Sequence, residues 1–269
     1  MIIQGDSSPF PFGYTSIVKM NDDKTRKAGM NFGILVLKKG EVMNGSGEKS
    51  GKKERVCVLL SGEACFSWRD QSVNVGRTSI WTQKPWCLHV PSGESMSIRA
   101  LSDRAEVAVL TAFNDRVFEP HFYGGGEVKS EERGKGILND TSERIVRTIF
   151  DYKSAPHSNL VIGETITFPG RWSSYPPHSH MQPEIYHYRF TPDNGFGLAA
   201  VGEKAYKVYN NDTLVITDNM THPQAAAPGY AMYYLWAIRH LPQEPYLEPK
   251  DDPSHTWMLE KDAKIWPNR

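Results

Sequence analysis

The sequence carries three histidines and one glutamate at spacings that suit a metal ion. His178 and His180 stand two apart, after prolines that hold the entering chain extended. In a strand, residues two apart face the same side, so both imidazoles can converge on one point. Glu184 follows after three residues, and His222 lies beyond a later turn. This set suits Zn, Mn, Fe or Ni and leaves open positions for substrate oxygens. We therefore predict one divalent metal ion at these four residues, with Zn as the first expectation.

Two tyrosines follow the glutamate at strand spacing. Counted from Glu184, Tyr186 and Tyr188 fall on the same face of an extended strand. Either phenol could donate or relay a proton in catalysis. The alternative is that both rings pack in the core of a β-barrel. If side chains alternate regularly along the strand, His187 points away from this face, unless a β-bulge changes its orientation.

Three arginines are candidates to bind the carboxylate of an acidic substrate. Arg171 shortly precedes the histidines, Arg189 follows the tyrosines, and Arg239 lies further along the chain. The alternative for each of them is ordinary surface charge.

The elements that must position these side chains are short β-rich runs. FGILVLKKG and EVAVLTAF are two such runs, and Ser61–Gly62 separates two more in a hairpin pattern. Strands that recur about every ten residues favour an antiparallel sandwich or barrel. We predict an all-β protein with an N-terminal domain at 1–121, a Gly-rich, charged linker at 122–140 and a C-terminal domain at 141–269.

The charge balance excludes several classes of partner. The 269 residues include 31 Lys and Arg and 31 Asp and Glu, so the formal net charge is zero. Nucleic-acid binding depends on a basic field, which leaves a small molecule as the expected partner. The N-terminus lacks a secretory signal pattern and no stretch suits a bilayer span, so we expect a cytoplasmic protein without a membrane partner.

Cys57, Cys65 and Cys87 are predicted to be reduced thiols in the core.

The glycine motifs typical of nucleotide sites are incomplete. Gly45, Gly47 and Gly51 form GxGxxxG rather than GxGxxG, and the GKG at 134–136 lacks the Ser or Thr that completes a P-loop. Reactions that need NAD or ATP are therefore disfavoured.

The pattern HxHxxxE followed by a distant His resembles the metal signature of cupins. ERVCVLLSG, which begins at Glu54, and PSGESM, which ends at Met96, resemble the two cupin motifs without their histidines. No His precedes Glu54, and Met96 stands where the second motif has its His. The resemblance implies a bicupin, with two jelly-roll β-barrels and a metal ion only in the C-terminal one.

Two longer stretches narrow this resemblance. WSSYPPHSH and THPQAAAPGY are similar to signatures of the 5-deoxy-glucuronate isomerase family, the IolB type within the KduI/IolB isomerases, and RGKG and DDPSHTW also look like that family. The second signature places a metal-binding histidine where this chain has His222. The resemblance implies a metal-dependent aldose–ketose isomerase without an organic cofactor. It would convert 5-deoxy-glucuronate to 5-dehydro-2-deoxy-gluconate in myo-inositol catabolism. We also expect a homo-oligomer.

The sequence departs from the family pattern beside the site. Only MQP separates His180 from Glu184, His187 and Tyr188 have exchanged places, and Arg171 stands where a small or amide residue is usual. One alternative is therefore a related uronate isomerase, of the 4-deoxy-5-threo-hexosulose-uronate ketol-isomerase type. A second is a cupin dioxygenase, in which the same ligand set holds Fe and binds O2. A third is a bicupin that binds or stores sugars without catalysis. Enediolate proton transfer and a hydride shift both stay open as routes of isomerisation.

Overall fold

The computed structural model describes residues 1–5, 9–45 and 52–267. Within these ranges the chain forms β-strands and three short 3-10 helices, so the predicted all-β class is confirmed. Gly47, Gly51 and most of the segment that precedes Glu54 lie outside the described residues.

The strands are numbered in chain order. The first eleven are β1 Ile2–Ile3, β2 Gly13–Val18, β3 Met30–Lys38, β4 Val42–Gly45, β5 Lys53–Trp68, β6 Gln71–Arg77, β7 Cys87–Val90, β8 Met96–Ala100, β9 Arg104–Phe113, β10 His121–Tyr123 and β11 Lys129–Arg133. The others are β12 Arg144–Phe150, β13 Leu160–Thr167, β14 Trp172–Ser173, β15 His178–Ser179, β16 Glu184–Thr191, β17 Phe196–Val201, β18 Lys204–Tyr209, β19 Thr213–Ile216, β20 Gln224–Ala226, β21 Ala231–Arg239 and β22 Lys250–Asp251. The 3-10 helices are Arg26–Ala28, Leu138–Asp140 and Pro253–Leu259.

The chain divides into two units at positions that differ from the predicted boundaries. The N-terminal unit comprises Ser8–Lys129 and Thr148–Ile162, and the C-terminal unit comprises Met1–Ser7, Ser130–Arg147 and Gly163–Arg269. The predicted linker at 122–140 contains β11 and part of β10.

These differences come from pairings between residues far apart in sequence. β1 pairs with β19 of the C-terminal unit, and the backbone N–H of Asn159 donates to Glu54 of the N-terminal unit at 2.8 Å. Residue alternation identifies a strand but not its partner, so the sequence alone does not assign these segments to one unit or the other.

In the N-terminal unit, β5 contributes to two parts of one sheet. Its first half pairs with β7 and β9, and its second half pairs with β6 and β8. Gly62 lies between the halves at φ +86°, where a Cβ atom would meet the Arg104 carbonyl oxygen. The interior is apolar: Met96 packs against Cys57, with Phe66 and Trp68 in the same cluster. The position that cupins fill with a metal-binding His thus belongs to the packed core.

In the C-terminal unit, a seven-stranded sheet has the order β1-β19-β16-β21-β13-β12-β11, and a four-stranded sheet has the order β14-β20-β17-β18. Alternate residues of β16 pack with residues of β17, β18 and β21 in one apolar cluster. β15 and the start of β16 are neighbours in sequence, and β20 begins just after His222. His178 therefore lies in β15 and Glu184 at the start of β16, while His180 lies between these strands and His222 lies two residues before β20.

All three cysteines are buried free thiols, as predicted. Among the described residues, no helix is both long and apolar enough to cross a membrane.

Candidate metal centre

The structure brings the predicted metal ligands together. Potential donor atoms of His180, Glu184 and His222 lie within 4.8 Å of one another. A Glu184 oxygen, Oε2, is 3.1 Å from His180 Nε2 and 3.4 Å from His222 Nε2. The ring of His178 meets the ring of His222 edge-on, with centroids 4.9 Å apart. All four side chains thus belong to one cluster.

Backbone carbonyl groups orient the three imidazoles in the same way. Nδ1 of each histidine bonds to a carbonyl oxygen two positions away, His178 to Pro176 at 3.1 Å, His180 to Gln182 at 2.8 Å and His222 to Met220 at 2.9 Å. A carbonyl oxygen only accepts, so each Nδ1 carries the proton and, in the neutral ring, Nε2 keeps a free lone pair.

The donor set fits a divalent metal. The buried His222 Nε2 has no hydrogen-bond partner, although a buried polar atom without a partner is costly. A metal ion among the Nε2 atoms and the Glu184 carboxylate would satisfy it. Hydrogen bonds from the other ring nitrogen to carbonyl oxygens are typical around histidines that bind metals.

The charge states of two of the three histidines also favour a metal. Burial, together with the nearby His180, lowers the pKa of His178 to about 4. Burial likewise lowers the pKa of His222 to about 4. For His180, burial acts in the same direction, but the hydrogen bond and charge of Glu184 outweigh it and raise the pKa. His178 and His222 are therefore neutral at pH 7, which is the form that binds a metal.

A late segment of the chain holds the first histidine in place. His178 pairs with Asp251 across β15 and β22, and the Asp252 N–H donates to the Pro177 carbonyl oxygen at 2.8 Å. Tyr246 lies in the same segment and meets the His180 ring edge-on, with centroids 4.8 Å apart. Sequence reasoning missed Tyr246, since no spacing pattern links it to the histidines.

Tyr186 and Tyr188 lie on the predicted face of β16. The Tyr186 hydroxyl is 3.0 Å from the Ser174 hydroxyl, and its ring centroid is 5.9 Å from that of His222. The Tyr188 hydroxyl donates to Gln224 Oε1 at 2.6 Å, and the Gln224 amide donates to the His222 carbonyl oxygen at 2.7 Å. Burial raises the pKa of both phenols well above the ordinary value, so both are protonated at neutral pH.

The exchanged His187 is buried on the other face of β16. Its Nδ1 lies 2.9 Å from the Thr213 hydroxyl oxygen. Arg189 follows it by two residues and shares that face, which is opposite to Glu184.

The backbone positions of the other two predicted arginines are also separated from the cluster. Arg239 follows Ile238, which pairs with Glu184, so strand parity turns Arg239 to the opposite face. Its Nη1 donates to the carbonyl oxygen of the adjacent residue at 2.6 Å. The Arg171 carbonyl oxygen accepts from Ala226 N at 2.9 Å, four residues beyond His222. Four residues of backbone span at most about 13 Å when fully extended.

Arg144 lies near the cluster, although the sequence did not single it out. It is the first residue of β12, and its Nη2 donates to the Tyr175 carbonyl oxygen at 3.1 Å. Tyr175 follows Ser174, whose hydroxyl lies near those of Tyr186 and Tyr234. The pairing that brings β12 to this place is tertiary and leaves no local signal.

The model of the KduI/IolB family matches residues 7–258. The chain belongs to the KduI/IolB family. This membership confirms the resemblance inferred from WSSYPPHSH and THPQAAAPGY. A relative, the 5-deoxy-glucuronate isomerase of Geobacillus thermodenitrificans strain NG80-2, is 29% identical over an alignment 281 positions long, which covers 94% of this chain and 95% of the relative.

Solved structures show the fold of this KduI/IolB-family chain. An IolB-like protein from Salmonella typhimurium LT2 superposes with a TM-score of 0.81 at 24% identity, covering 93% of this chain and 97% of that one. A cupin 2 conserved barrel domain protein from Leptotrichia buccalis has a TM-score of 0.51 at 13% identity and covers 84% of this chain and 88% of its own. The fold is therefore the all-β bicupin fold that the motifs predicted.

Proposed function

We propose that this KduI/IolB-family chain is a metal-dependent aldose–ketose isomerase. Its substrate is 5-deoxy-glucuronate and its product is 5-dehydro-2-deoxy-gluconate, a step of myo-inositol catabolism in the cytoplasm. The observation that carries the proposal is the buried cluster of three imidazoles and one carboxylate beside the Tyr186 hydroxyl. Relatives named 5-deoxy-glucuronate isomerase support the choice of substrate. We also propose that the active protein is a homo-oligomer.

The ligands of the proposed metal are His178, His180, Glu184 and His222. Zn is the ion we propose, and Mn, Fe or Ni suit the same donors. When bound, the metal supplies Lewis-acid polarisation of the substrate carbonyl and neighbouring hydroxyl oxygens.

Tyr186 acts as an acid in this proposal. Its phenol is protonated because burial raises its pKa, and its oxygen lies 3.0 Å from the Ser174 hydroxyl. The Ser174 hydroxyl is in turn 3.4 Å from the Tyr234 hydroxyl. The chain of hydroxyl groups lets Tyr186 donate a proton to a substrate oxygen and recover it from its neighbours.

Tyr188 has a positioning role in this proposal rather than a role as an acid. Its hydroxyl fixes the Gln224 amide, which in turn fixes the backbone at His222.

The decisive experiment is an anaerobic assay. Protein loaded with Zn is incubated under argon with 5-deoxy-glucuronate, and formation of the ketose is followed by NMR. We expect turnover without oxygen or nicotinamide. If the assay shows no turnover and the protein instead consumes oxygen with an aromatic or diketone substrate, it is a cupin dioxygenase.

Two further arms refine the result. A parallel assay with 4-deoxy-5-threo-hexosulose uronate tests whether the altered residues near Tyr188 have shifted the substrate. The same reaction in D2O distinguishes the two routes, because enediolate proton transfer introduces solvent deuterium at carbon and a hydride shift does not.

A further inference from the structure

Arg144 is held in a fixed position by two backbone carbonyl groups. Its Nη1 donates to the Ser142 oxygen at 2.7 Å, and its Nη2 donates to the Tyr175 oxygen at 3.1 Å. Both acceptors are neutral. The guanidinium therefore keeps further N–H groups, and all of its charge, for another partner.

Within the part of the chain that the structure describes, no Asp or Glu forms an ion pair with Arg144. Arg147, on the same strand but the opposite face, does form an ion pair. Arg147 Nη1 lies 3.4 Å from the Glu164 carboxylate, and both side chains are buried. Arg133, near the same site, is paired with Glu131. The fold thus neutralises two neighbouring arginines and leaves Arg144 without a counter-charge.

A desolvated cation without a counter-charge is unfavourable, and a bound anion would remove that cost. Burial is the largest effect on the pKa of Arg144 and lowers it, Tyr234 acts in the opposite direction, and the charge of Arg133 lowers it further. The surroundings of Arg144 therefore favour an anionic ligand.

The guanidinium belongs to the same site as the proposed metal ligands and proton donor. The guanidinium donates to the carbonyl oxygen of Tyr175, which lies three residues before His178. The charge of the guanidinium also acts on Tyr234, whose hydroxyl is 3.4 Å from the Ser174 hydroxyl. An anion at Arg144 would thus lie beside the hydroxyl groups next to the metal cluster.

We infer that Arg144 binds the carboxylate of the sugar acid through charge-assisted N–H bonds and selects acidic sugars over neutral ones. The inference rests on the proposed isomerase function and adds to it the residue that recognises the acid. The Ser142 and Tyr175 carbonyl groups hold the guanidinium in position. Arg189 and Arg239 lie on the strand face opposite to Glu184.

The test compares Arg144→Gln and Arg144→Lys with the wild type, all loaded with Zn. We expect the KM for 5-deoxy-glucuronate to rise about 10- to 100-fold in Arg144→Gln, since hydrogen bonds to charged groups are of this strength. The kcat should change only a few-fold. Arg144→Lys should give an intermediate KM, because it keeps the charge and loses the paired N–H geometry. Arg99→Gln, at an exposed position of β8, is the matched control and should keep the wild-type KM.

A binding measurement separates this inference from the proposed function. Calorimetry with glucuronate and with glucose measures the preference for the acid without any turnover. We expect the wild type and Arg99→Gln to prefer glucuronate and Arg144→Gln to lose that preference. If the wild type does not isomerise 5-deoxy-glucuronate, the proposed function fails, while the binding ratios still decide the role of Arg144.

An unchanged KM and an unchanged glucuronate preference in folded Arg144→Gln would overturn the inference. Circular dichroism and zinc content establish that each variant is folded and loaded. If Arg144→Gln does not fold, Arg144→Lys decides the question, since wild-type KM and preference in that variant would equally exclude recognition through paired N–H bonds.

Discussion

Each histidine of the cluster is prepared for metal binding by a single hydrogen bond. The Nδ1 contacts to Pro176, Gln182 and Met220 fix both the tautomer and the ring plane, so in the neutral ring Nε2 keeps the lone pair that binds a metal. The sequence could reveal the histidines but not these contacts, because the acceptors are backbone carbonyl groups that any residue supplies.

Removal of one ligand residue should therefore mainly weaken metal binding. We expect His178→Ala and His222→Ala to bind Zn at least about 100-fold more weakly while staying folded, because the remaining donors no longer complete the site. Metal analysis after dialysis and circular dichroism measure the two properties. His121→Ala, at an exposed histidine of the N-terminal unit, should keep its zinc. Full occupancy in His222→Ala would remove His222 from the ligand set.

The two tyrosines of β16 should differ in their effect on catalysis. Tyr186→Phe removes the hydroxyl beside Ser174, and we expect kcat to fall about 100-fold with little change in KM. Tyr188→Phe removes only the hydrogen bond to Gln224, and its kcat should fall less than about tenfold. Initial rates of both variants at matched zinc content provide the comparison. A wild-type kcat in Tyr186→Phe would mean that its ring serves only to pack the core.

At the scale of the element, strand parity was the most informative part of the sequence. It placed Glu184, Tyr186 and Tyr188 on one face of β16, and the structure has them there. The same parity puts Arg189 on the other face. Sequence reasoning missed Arg144 and Tyr246 because each contacts the site from a segment that is distant in sequence.

The N-terminal strand illustrates such a distant pairing. Ile2 pairs with Leu214 of β19, and the Gly5 N–H donates to Asp212 Oδ1 at 2.8 Å. We expect deletion of Ile2–Gln4 to lower the free energy of unfolding by about 1–3 kcal/mol, because it exposes the edge of β19 and removes two half-buried apolar side chains. Urea unfolding measures the change, and Val117→Ser, at a side chain that is 96% exposed, is the control. Unchanged stability after the deletion would show that β1 adds nothing to the sheet.

At the scale of the whole molecule, a buried carboxylate joins the two sequence segments that form the N-terminal unit. Glu54 accepts from His89 at 2.8 Å, from Asn114 at 3.1 Å, from the Ser158 hydroxyl at 3.0 Å and from Asn159 N at 2.8 Å. Burial raises its pKa, but these bonds together outweigh burial and lower the pKa below the ordinary value of 4.5.

The direction of this pKa shift determines how the stability of the fold depends on pH. A carboxyl group with a lowered pKa in the folded state stabilises the fold above its unfolded pKa, and the contribution is lost as pH falls through the folded value. We expect Glu54→Gln to lower the free energy of unfolding by about 2 kcal/mol at pH 7, and the difference from wild type to shrink as pH falls below 4.5. Urea unfolding across this pH range measures it. A difference independent of pH would exclude ionised Glu54 as the cause.

Metal loading should act on the other unit, because all four proposed ligands belong to the C-terminal one. A ligand that binds only the folded state stabilises it by about 2.7 kcal/mol at 100 times its Kd, which slows exchange through unfolding about 100-fold. Hydrogen exchange with and without Zn should therefore show this protection in β16 and β21 and little change in β5. His222→Ala should show no zinc-dependent protection in any of these strands. Equal protection of β5 and β16, or none in β16, would contradict a metal held by these four residues.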